Sequence, residues 1–358
     1  MISNEKKLTV GILFGGRSAE HEVSLQSAKN VYDAMDRSRF EPVLIGIDKN
    51  GNWRPTDGSF ALLNLGDPIA LIPEGRGELC SSSPNSRFAL PKLDVVFPIL
   101  HGPFGEDGTV QGLLKLAGVP FVGSGVLGSA AGMDKDVMKR LFRDAGMPVG
   151  KFLVFSPHHP IPPFAEITAA LGSPVFVKPA NMGSSVGISK ANDQTKFLEA
   201  VYDAFQYDTK IIVEEFIRGR EIECAVLGNE DPAASVPGEV IPSHSFYSYN
   251  AKYLDDSGAV LQIPAELDEG IQKRIQELSV KAFQAICCEG LARVDFFLRE
   301  NGEIIVNEIN TMPGFTKISM YPKLWEKSGV GYTQLISRLI ELAQERFEKE
   351  QAIKVTYS

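Results

Sequence analysis

Cysteine is scarce in this chain. The four in 358 residues, Cys80, Cys224, Cys287 and Cys288, show no CxxC spacing, and the adjacent pair cannot easily close an ordinary disulfide. A disulfide scaffold and a cysteine-ligated metal are excluded, and a reducing, cytoplasmic setting is expected. Histidine is also sparse: His21, His158, His159 and His244 have no metal-ligand spacing with the cysteines and read as surface or capping residues. Positive charge is in deficit, 36 Lys and Arg against 45 Asp and Glu for a net charge of -9, so no clustered basic surface is expected for nucleic acid or an anionic membrane. No apolar run is long enough to span a bilayer, and the strand-like stretch before Gly15 is too short for a signal-peptide core. At the first strand-to-helix turn Gly15-Gly16-Arg17-Ser18 does not have the GxGxxG spacing, and the glycine/serine loop after Lys178 lacks the GK[ST] of a P-loop.

What is present is core material, since 44% of residues are hydrophobic, enough for two or three domains. The first third alternates strand and helix signals: Leu8 to Phe14, an amphipathic Val23 to Met35, Val43 to Ile47, Val95 to Ile99 and a helical Val110 to Leu116. This pattern predicts a parallel α/β sheet. Between Trp53 and Lys92 lies a Pro/Gly/Ser-rich stretch without periodicity, expected as an exposed insertion. A helical Lys135 to Ala145 ends at Gly146 ahead of Pro148, which places a first boundary near Gly132.

The strongest chemical signal lies near the end. Ala292-Arg293-Val294-Asp295 and Val306-Asn307-Glu308-Ile309-Asn310 read as two apolar strands joined through a turn at Glu300 to Glu303. Glu308 and Asn310 are two apart and leave the same face of a strand, and the hairpin brings Asp295 toward them. Two neighbouring carboxylates are costly to bury, and one arginine balances only one of them, whereas a divalent cation balances the sum. Magnesium takes a few carboxylates and completes its octahedron with water and phosphate oxygens, which points to a nucleotide. The competing reading is a plain salt bridge of Arg293, Asp295 and Glu308.

Other segments fit a nucleotide site. Lys178 closes the apolar strand from Pro174 and precedes Gly183-Ser184-Ser185-Val186-Gly187, a loop able to lie over phosphates while the lysine supplies a point charge. Ile211 to Phe216 reads as a strand ending in Glu214, Glu215 and an aromatic ring, with Glu221 following, where adenine and ribose could sit. In the first domain, Gly15-Gly16-Arg17-Ser18-Ala19-Glu20 and His101-Gly102 through Glu106-Asp107-Gly108 each follow a strand, the sheet edge where α/β proteins place ligands.

Taken in order, and joined by Met133-Asp134-Lys135, Ala251-Lys252-Tyr253 and Asn307 to Gly314, these pieces resemble the D-alanine:D-alanine ligase family of ATP-grasp enzymes over nearly the whole chain. The resemblance implies an ATP-grasp fold: an N-terminal parallel α/β domain, 1–132, contributing to the first D-alanine site; a small central α+β lid domain, 133–227; and a C-terminal α+β domain, 228–358, with the metal and oxyanion site, ATP being held between the last two. It implies ATP-dependent joining of two D-alanines through a D-alanyl phosphate, releasing ADP and phosphate, for peptidoglycan precursors. Asp295, Glu308 and Asn310 then match the ligands of two magnesium ions, with manganese as a substitute and a monovalent cation also allowed. Lys135, Lys178 and Lys252 match phosphate-contacting lysines; Glu214, Glu215, Phe216 and Glu221 the adenine and ribose pocket; Ser184 and Ser185 the lid. Glu20 matches the group engaging the first D-alanine ammonium, His101 lies near it, and Ser319 with Met320 match the receiver of the second carboxylate. Arg293 and the Gly314 N–H match the oxyanion donors. The partners implied are two D-alanines, ATP and a second copy of the chain in a homodimer.

The aromatic loop Ser245 to Tyr253 is expected to close over the site, with the Tyr253 hydroxyl, Ser184 and Glu20 in one network that favours an amine as second substrate. Competing readings are a ligase using D-lactate or D-serine, a non-catalytic nucleotide-responsive binder, which would lack a metal ligand or phosphate lysine, and a dinucleotide oxidoreductase, which would need GxGxxG.

Overall fold

The computed structural model describes residues 6–56, 58, 60, 66–81, 90–242, 259–354 and 356. Three main sheets follow one another along the chain. The first is built on β1 (Leu8–Gly15), flanked in parallel by β2 (Phe40–Ile47) and β6 (Val95–Pro98), with β3 (Trp53–Pro55) antiparallel at the edge. Six consecutive residues of β1 are buried, the continuous apolar run expected of a strand covered on both faces. The chain leaves β1 through Gly15, at φ +90°, where an added Cβ would lie 2.3 Å from the Ile47 carbonyl, and enters α1 (His21–Ala34). Only glycine fits that crossing.

The stretch expected as an exposed insertion is partly built in. Within it β4 (Ile69–Leu71) pairs with β5 (Leu79–Ser81), and Ile69 and Leu71 are buried against Leu93 and Val96. Strands of three residues are too short to show a period of two, so the pattern was silent there. The serine run from residue 82 onward lies outside the described residues.

α2 (Thr109–Leu116) and α3 (Val126–Met133) lead into α4 (Lys135–Asp144), whose N-cap Asp134 accepts from the backbone N–H groups of Asp136 and Val137. The second sheet, in the order β7-β10-β8-β9, is antiparallel: β7 (Phe152–Phe155), β10 (Ile211–Glu215), β8 (Val175–Pro179) and β9 (Ser189–Ala191). Ile167, Leu171, Phe197, Ala200 and Val201, from α5 (Phe164–Leu171) and α6 (Gln194–Ala204), are buried against Val175, Val177, Ile211 and Val213 of its strands.

The third sheet runs β14-β13-β11-β15-β16, with β12 (Ala233–Ala234) beside β11. Its strands are β11 (Arg220–Gly228), β13 (Gly238–Pro242), β14 (Ala259–Gln262), β15 (Gly290–Leu298) and β16 (Ile304–Asn310). Met138 and Phe142 of α4 are buried with Ile222, Val294, Ile309 and Ile275, the last on α7 (Glu269–Ala285). Both α4 and β11 therefore belong with the third sheet, although the expected division put them in the central segment. The gap between sheets, rather than the glycine and proline signals, marks the change of layer: β10 ends at Glu215 in one sheet and β11 begins at Arg220 in the next. α8 (Met320–Lys327) and α9 (Tyr332–Gln351) join the core shared by the first and third sheets through Leu324, Trp325, Leu335, Leu339 and Ile340. Among the described residues no helix is long and apolar enough to cross a membrane.

Candidate active site

A cleft of about 470 Å³ opens where the three sheets meet, and it is within the range of ordinary ligand pockets. Its floor is one face of the third sheet. Residues paired directly across antiparallel strands point to the same side, and the register sets Glu223 opposite Asp295 and Asp295 opposite Glu308. Arg293 pairs with Asn310, and Glu221 with Phe297, in the adjacent rows. An irregularity between Asp295 and Phe296 makes this possible. Beyond it Phe296 faces Val306 and both turn into the core, while Glu308, two residues on, faces the cleft.

Arg293 holds this acidic row together. Its Nε and Nη2 each lie 2.7 Å from an Asp295 carboxylate oxygen, a fork-on-fork pair, and Nε is also 2.9 Å from Glu223 Oε2. Asn310 Nδ2 donates to Asp295 Oδ2 at 3.0 Å. The Arg293–Asp295 salt bridge is therefore present, and Glu221, Glu223 and Glu308 share its face of the sheet.

The opposite wall comes from the second sheet and α4. Glu214 is buried between two ammonium groups, Lys178 Nζ at 2.5 Å and Lys139 Nζ at 3.0 Å. Burial alone would push its pKa up, but the two lysines overcome this and hold it down at about 2. Lys178 is raised in turn, Glu214 and Glu308 outweighing its burial. Lys135, one helical turn from Lys139, is lowered because burial outweighs the attraction of Glu308. Its Nζ donates to the Met182 carbonyl at 2.5 Å, tying α4 to the loop after Lys178. In that loop Ser184 and Ser185 adopt left-handed backbone conformations, φ 51° and 63°, uncommon for serine and costing of order 1–3 kcal/mol each. The Ser184 hydroxyl donates to Glu20 of the first domain. Phe216 closes one end of the wall, tilted against Phe176 with centroids 6.1 Å apart and with Lys190 Nζ 4.7 Å above its ring.

The first domain brings His101, buried and 3.9 Å from Glu106 Oε1, an ionic contact too long for a hydrogen bond. Burial lowers its pKa, but Glu106 and Glu20 reverse the sign, so the imidazolium is favoured relative to an ordinary histidine. The Glu106 carboxylate also accepts from the Gly102 N–H at 2.7 Å. On the far side Gly314 packs so closely that an added Cβ would lie 2.8 Å from Ser319 Oγ. The Ser319 hydroxyl accepts from the Thr316 N–H at 2.9 Å and lies 2.8 Å from Thr316 Oγ1.

Every site residue read from the sequence that lies among the described residues lines this one cleft: Glu20 and His101; Lys135 and Lys178; Ser184 and Ser185; Glu214, Glu215, Phe216 and Glu221; Arg293, Asp295, Glu308 and Asn310; Gly314, Ser319 and Met320. Lys252 and Tyr253 lie outside the described residues.

Comparison with known proteins gives the same picture over the whole length. The family described as D-ala D-ala ligase N-terminus matches residues 9–124, and D-ala D-ala ligase C-terminus matches 141–341. A D-alanine--D-alanine ligase of Oceanobacillus iheyensis is 56% identical over 364 residues, covering 98% of this chain and 99% of that protein. The D-alanine--D-alanine ligase A of Escherichia coli strain K12 is 53% identical over 363 residues, covering 98% and 100%. The chain belongs to the D-alanine–D-alanine ligase family. Among solved structures, the D-alanine-D-alanine ligase of Coxiella burnetii superposes with a TM-score of 0.86 at 39% identity over 96% of both chains. The VanG D-Ala:D-Ser ligase of Enterococcus faecalis superposes at 0.82 with 37% identity, over 94% of this chain and 100% of that one. The fold is the ATP-grasp fold of this family.

Several residues in or directly behind this ligase-family cleft went unremarked in the sequence. Glu223 alternates with Glu221 along β11, the same two-residue spacing that singled out Glu308 and Asn310. Lys139 follows Lys135 by four residues, one helical turn, and is almost fully buried. Thr316 carried no signal, because its contact with Ser319 depends on the local loop.

Proposed function

We infer that this cleft joins two molecules of D-alanine into D-alanyl-D-alanine, with ATP converted to ADP and phosphate, for the building of peptidoglycan precursors. The observation that carries the reading is the convergence, in a member of the ligase family that spans the length of its relatives, of the phosphate-charge lysines, the acidic row and Glu20 on one cleft.

In the first step a carboxylate oxygen of one D-alanine attacks the γ-phosphorus, the bond to the β-bridging oxygen breaks, and ADP leaves an acyl phosphate. Lys135, Lys178 and Lys252 offset the negative charge on the transferring group. Glu20 holds the substrate ammonium, and its bond from Ser184 couples that substrate to the lid. In the second step the free amine of the other D-alanine attacks the acyl carbon. The oxygen that becomes negative is met by Arg293 and the Gly314 N–H; phosphate then departs and the amine loses a proton. No covalent bond to the enzyme is required.

Asp295, Glu308 and Asn310 suit magnesium. They are hard oxygen donors on one face of the sheet, the kind of carboxylate and amide set that magnesium takes while completing its shell with water and phosphate oxygens. Bound there, two magnesium ions, or manganese in their place, would neutralise charge on the β- and γ-phosphates. Glu215, Phe216 and Glu221 serve the adenine and ribose, while both Glu214 oxygens are already committed to lysines. The three-part division is proposed along the sheets, and a homodimer is proposed with the exposed apolar side chains Leu113, Leu116 and Leu127 of α2 and α3 as support.

Because a D-Ala:D-Ser ligase shares this fold, a second substrate other than D-alanine is the alternative to exclude. The test is ADP release with ATP and magnesium plus D-alanine, L-alanine, or D-alanine with D-lactate or D-serine, the products identified by mass spectrometry. Stereospecific D-alanyl-D-alanine as the main product is expected. If a folded, ATP-binding protein released no ADP with D-alanine, the ligase reading would be lost and a nucleotide-responsive binder would replace it.

Tyr253→Phe is expected to raise depsipeptide formation from D-alanine and D-lactate, on the reading, taken from the family resemblance, that a tyrosine hydroxyl at this position favours an amine as second substrate. An unchanged peptide-to-ester ratio would count against that role.

A further inference from the structure

Two side chains of α1 with no part in the roles above reach the loop behind Gly314. Ser27 is fully buried. Its Oγ lies 3.2 Å from His101 Nε2 and accepts a hydrogen bond from the Phe315 backbone N–H, also at 3.2 Å. Three residues further along the helix, Asn30 Nδ2 donates to the Phe315 carbonyl at 3.0 Å, and Tyr332 donates to the same oxygen at 2.8 Å. The residue that follows Gly314 is thus gripped at both its N–H and its C=O. Its ring is fully buried, 6.0 Å from the Phe97 ring and 5.6 Å from that of Tyr321, so the loop has little room to slide.

The same helix begins at Glu20, which accepts the Ser184 hydroxyl. Residues three and seven apart on a helix share a face, so one rigid rod presents Glu20 to one end of the cleft and Ser27 and Asn30 to the other. We propose that Ser27 and Asn30 are positioning residues that lock Phe315, and with it the Gly314 N–H and the Ser319 side of the second-substrate site, to the helix that holds the first D-alanine. This rests on the ligase reading of the cleft.

The consequence falls on the second half of the reaction. An oxyanion donor works only when already in place, and a displacement of about 1 Å can cost on the order of a hundredfold. Loosening the Phe315 clamp through Asn30 leaves ATP and the first carboxylate untouched, so the acyl phosphate still forms, whereas Ser27→Ala also removes a contact to His101. Capture by the second amine slows, and water intercepts instead: its oxygen attacks the acyl carbon, the carbon–oxygen bond to phosphate breaks, and D-alanine is regenerated with net hydrolysis of ATP.

The experiment is the ratio of ADP to D-alanyl-D-alanine, with KM values for ATP and for the second D-alanine, measured on the full chain, on Ser27→Ala and on Asn30→Asp. The unsubstituted chain should give one ADP per dipeptide. In each variant the ratio is expected to rise at least about threefold and the KM for the second D-alanine about tenfold, with the KM for ATP within about twofold. A merely structural role would lower both products together at a ratio of one; that result in a folded variant overturns the proposal. Should Ser27→Ala fail to fold, Asn30→Asp, of nearly equal volume and partly exposed, decides alone. Absence of dipeptide from the unsubstituted chain would overturn the ligase reading itself, a distinct outcome.

Discussion

Arg293→Ala is expected to lower kcat by a factor on the order of a hundred or more, because removing one preorganised oxyanion donor typically costs about 3 to 4 kcal/mol of barrier. The structure adds a second consequence. Arg293 stands between Asp295 and Glu223, which face each other across β15 and β11, so its loss leaves two like charges opposed on the floor of the cleft. Stability should therefore fall together with activity, and turnover has to be measured on protein shown to be folded by its thermal transition. Arg293→Lys separates the two effects. It restores a positive charge but not the planar fork that meets both Asp295 oxygens, so it should recover stability more than rate. Near-normal turnover by a folded Arg293→Ala protein would remove Arg293 from the chemistry.

The second large effect concerns Glu214. Replacing it with glutamine leaves Lys139 and Lys178 buried without their shared counter-charge, and breaking a buried pair in this way costs about 3–5 kcal/mol. For a chain of this size that corresponds to a fall in Tm of roughly 4–7 °C. The KM for ATP should rise as well, since Lys178 loses the group that aims it.

The pH dependence has a definite sign. The folded pKa of about 2 lies below the ordinary 4.5, so the carboxylate contributes stability that is fully present above about pH 4.5 and is lost as pH falls toward 2. Tm measured across that window should drop more steeply in the unsubstituted protein than in Glu214→Gln. Parallel curves would show that Glu214 is not held ionised by the lysines.

Much of the cleft was legible before any coordinates. Lys178 at the end of an apolar strand, the Gly/Ser loop after it, and Glu308 and Asn310 two apart in a strand are local patterns, and local patterns survive in a sequence. The short strands β4 and β5 were not legible, because three residues cannot display alternation. The layer boundary was misplaced for a related reason: α4 ends with clear stop signals, but its allegiance to the third sheet is carried by Met138 and Phe142 meeting Ile222 and Val294 far along the chain.

The β15–β16 hairpin shows the limit most clearly. Counting back from its turn in strict alternation sets Asn307 opposite Asp295 and turns Glu308 into the core. The irregularity after Asp295 shifts the register by one residue and returns Glu308 to the cleft beside it. No feature of Ile304-Ile305-Val306, all buried, announces that shift.

Periodicity, glycine turns and charge spacing act within a few residues, so the kinds of groups available, their order along the chain, and the strands and loops that carry them are already written in the chain. Long-range packing was needed for Lys139 to share Glu214 with Lys178, for Glu223 to join the acidic row, and for Ser27 and Asn30 to grip Phe315. Those pairings join residues tens to hundreds of positions apart. They exist because sheets and helices bury their apolar faces together, and the polar groups carried along then take whichever charge or hydrogen-bond partner the packing has set opposite them.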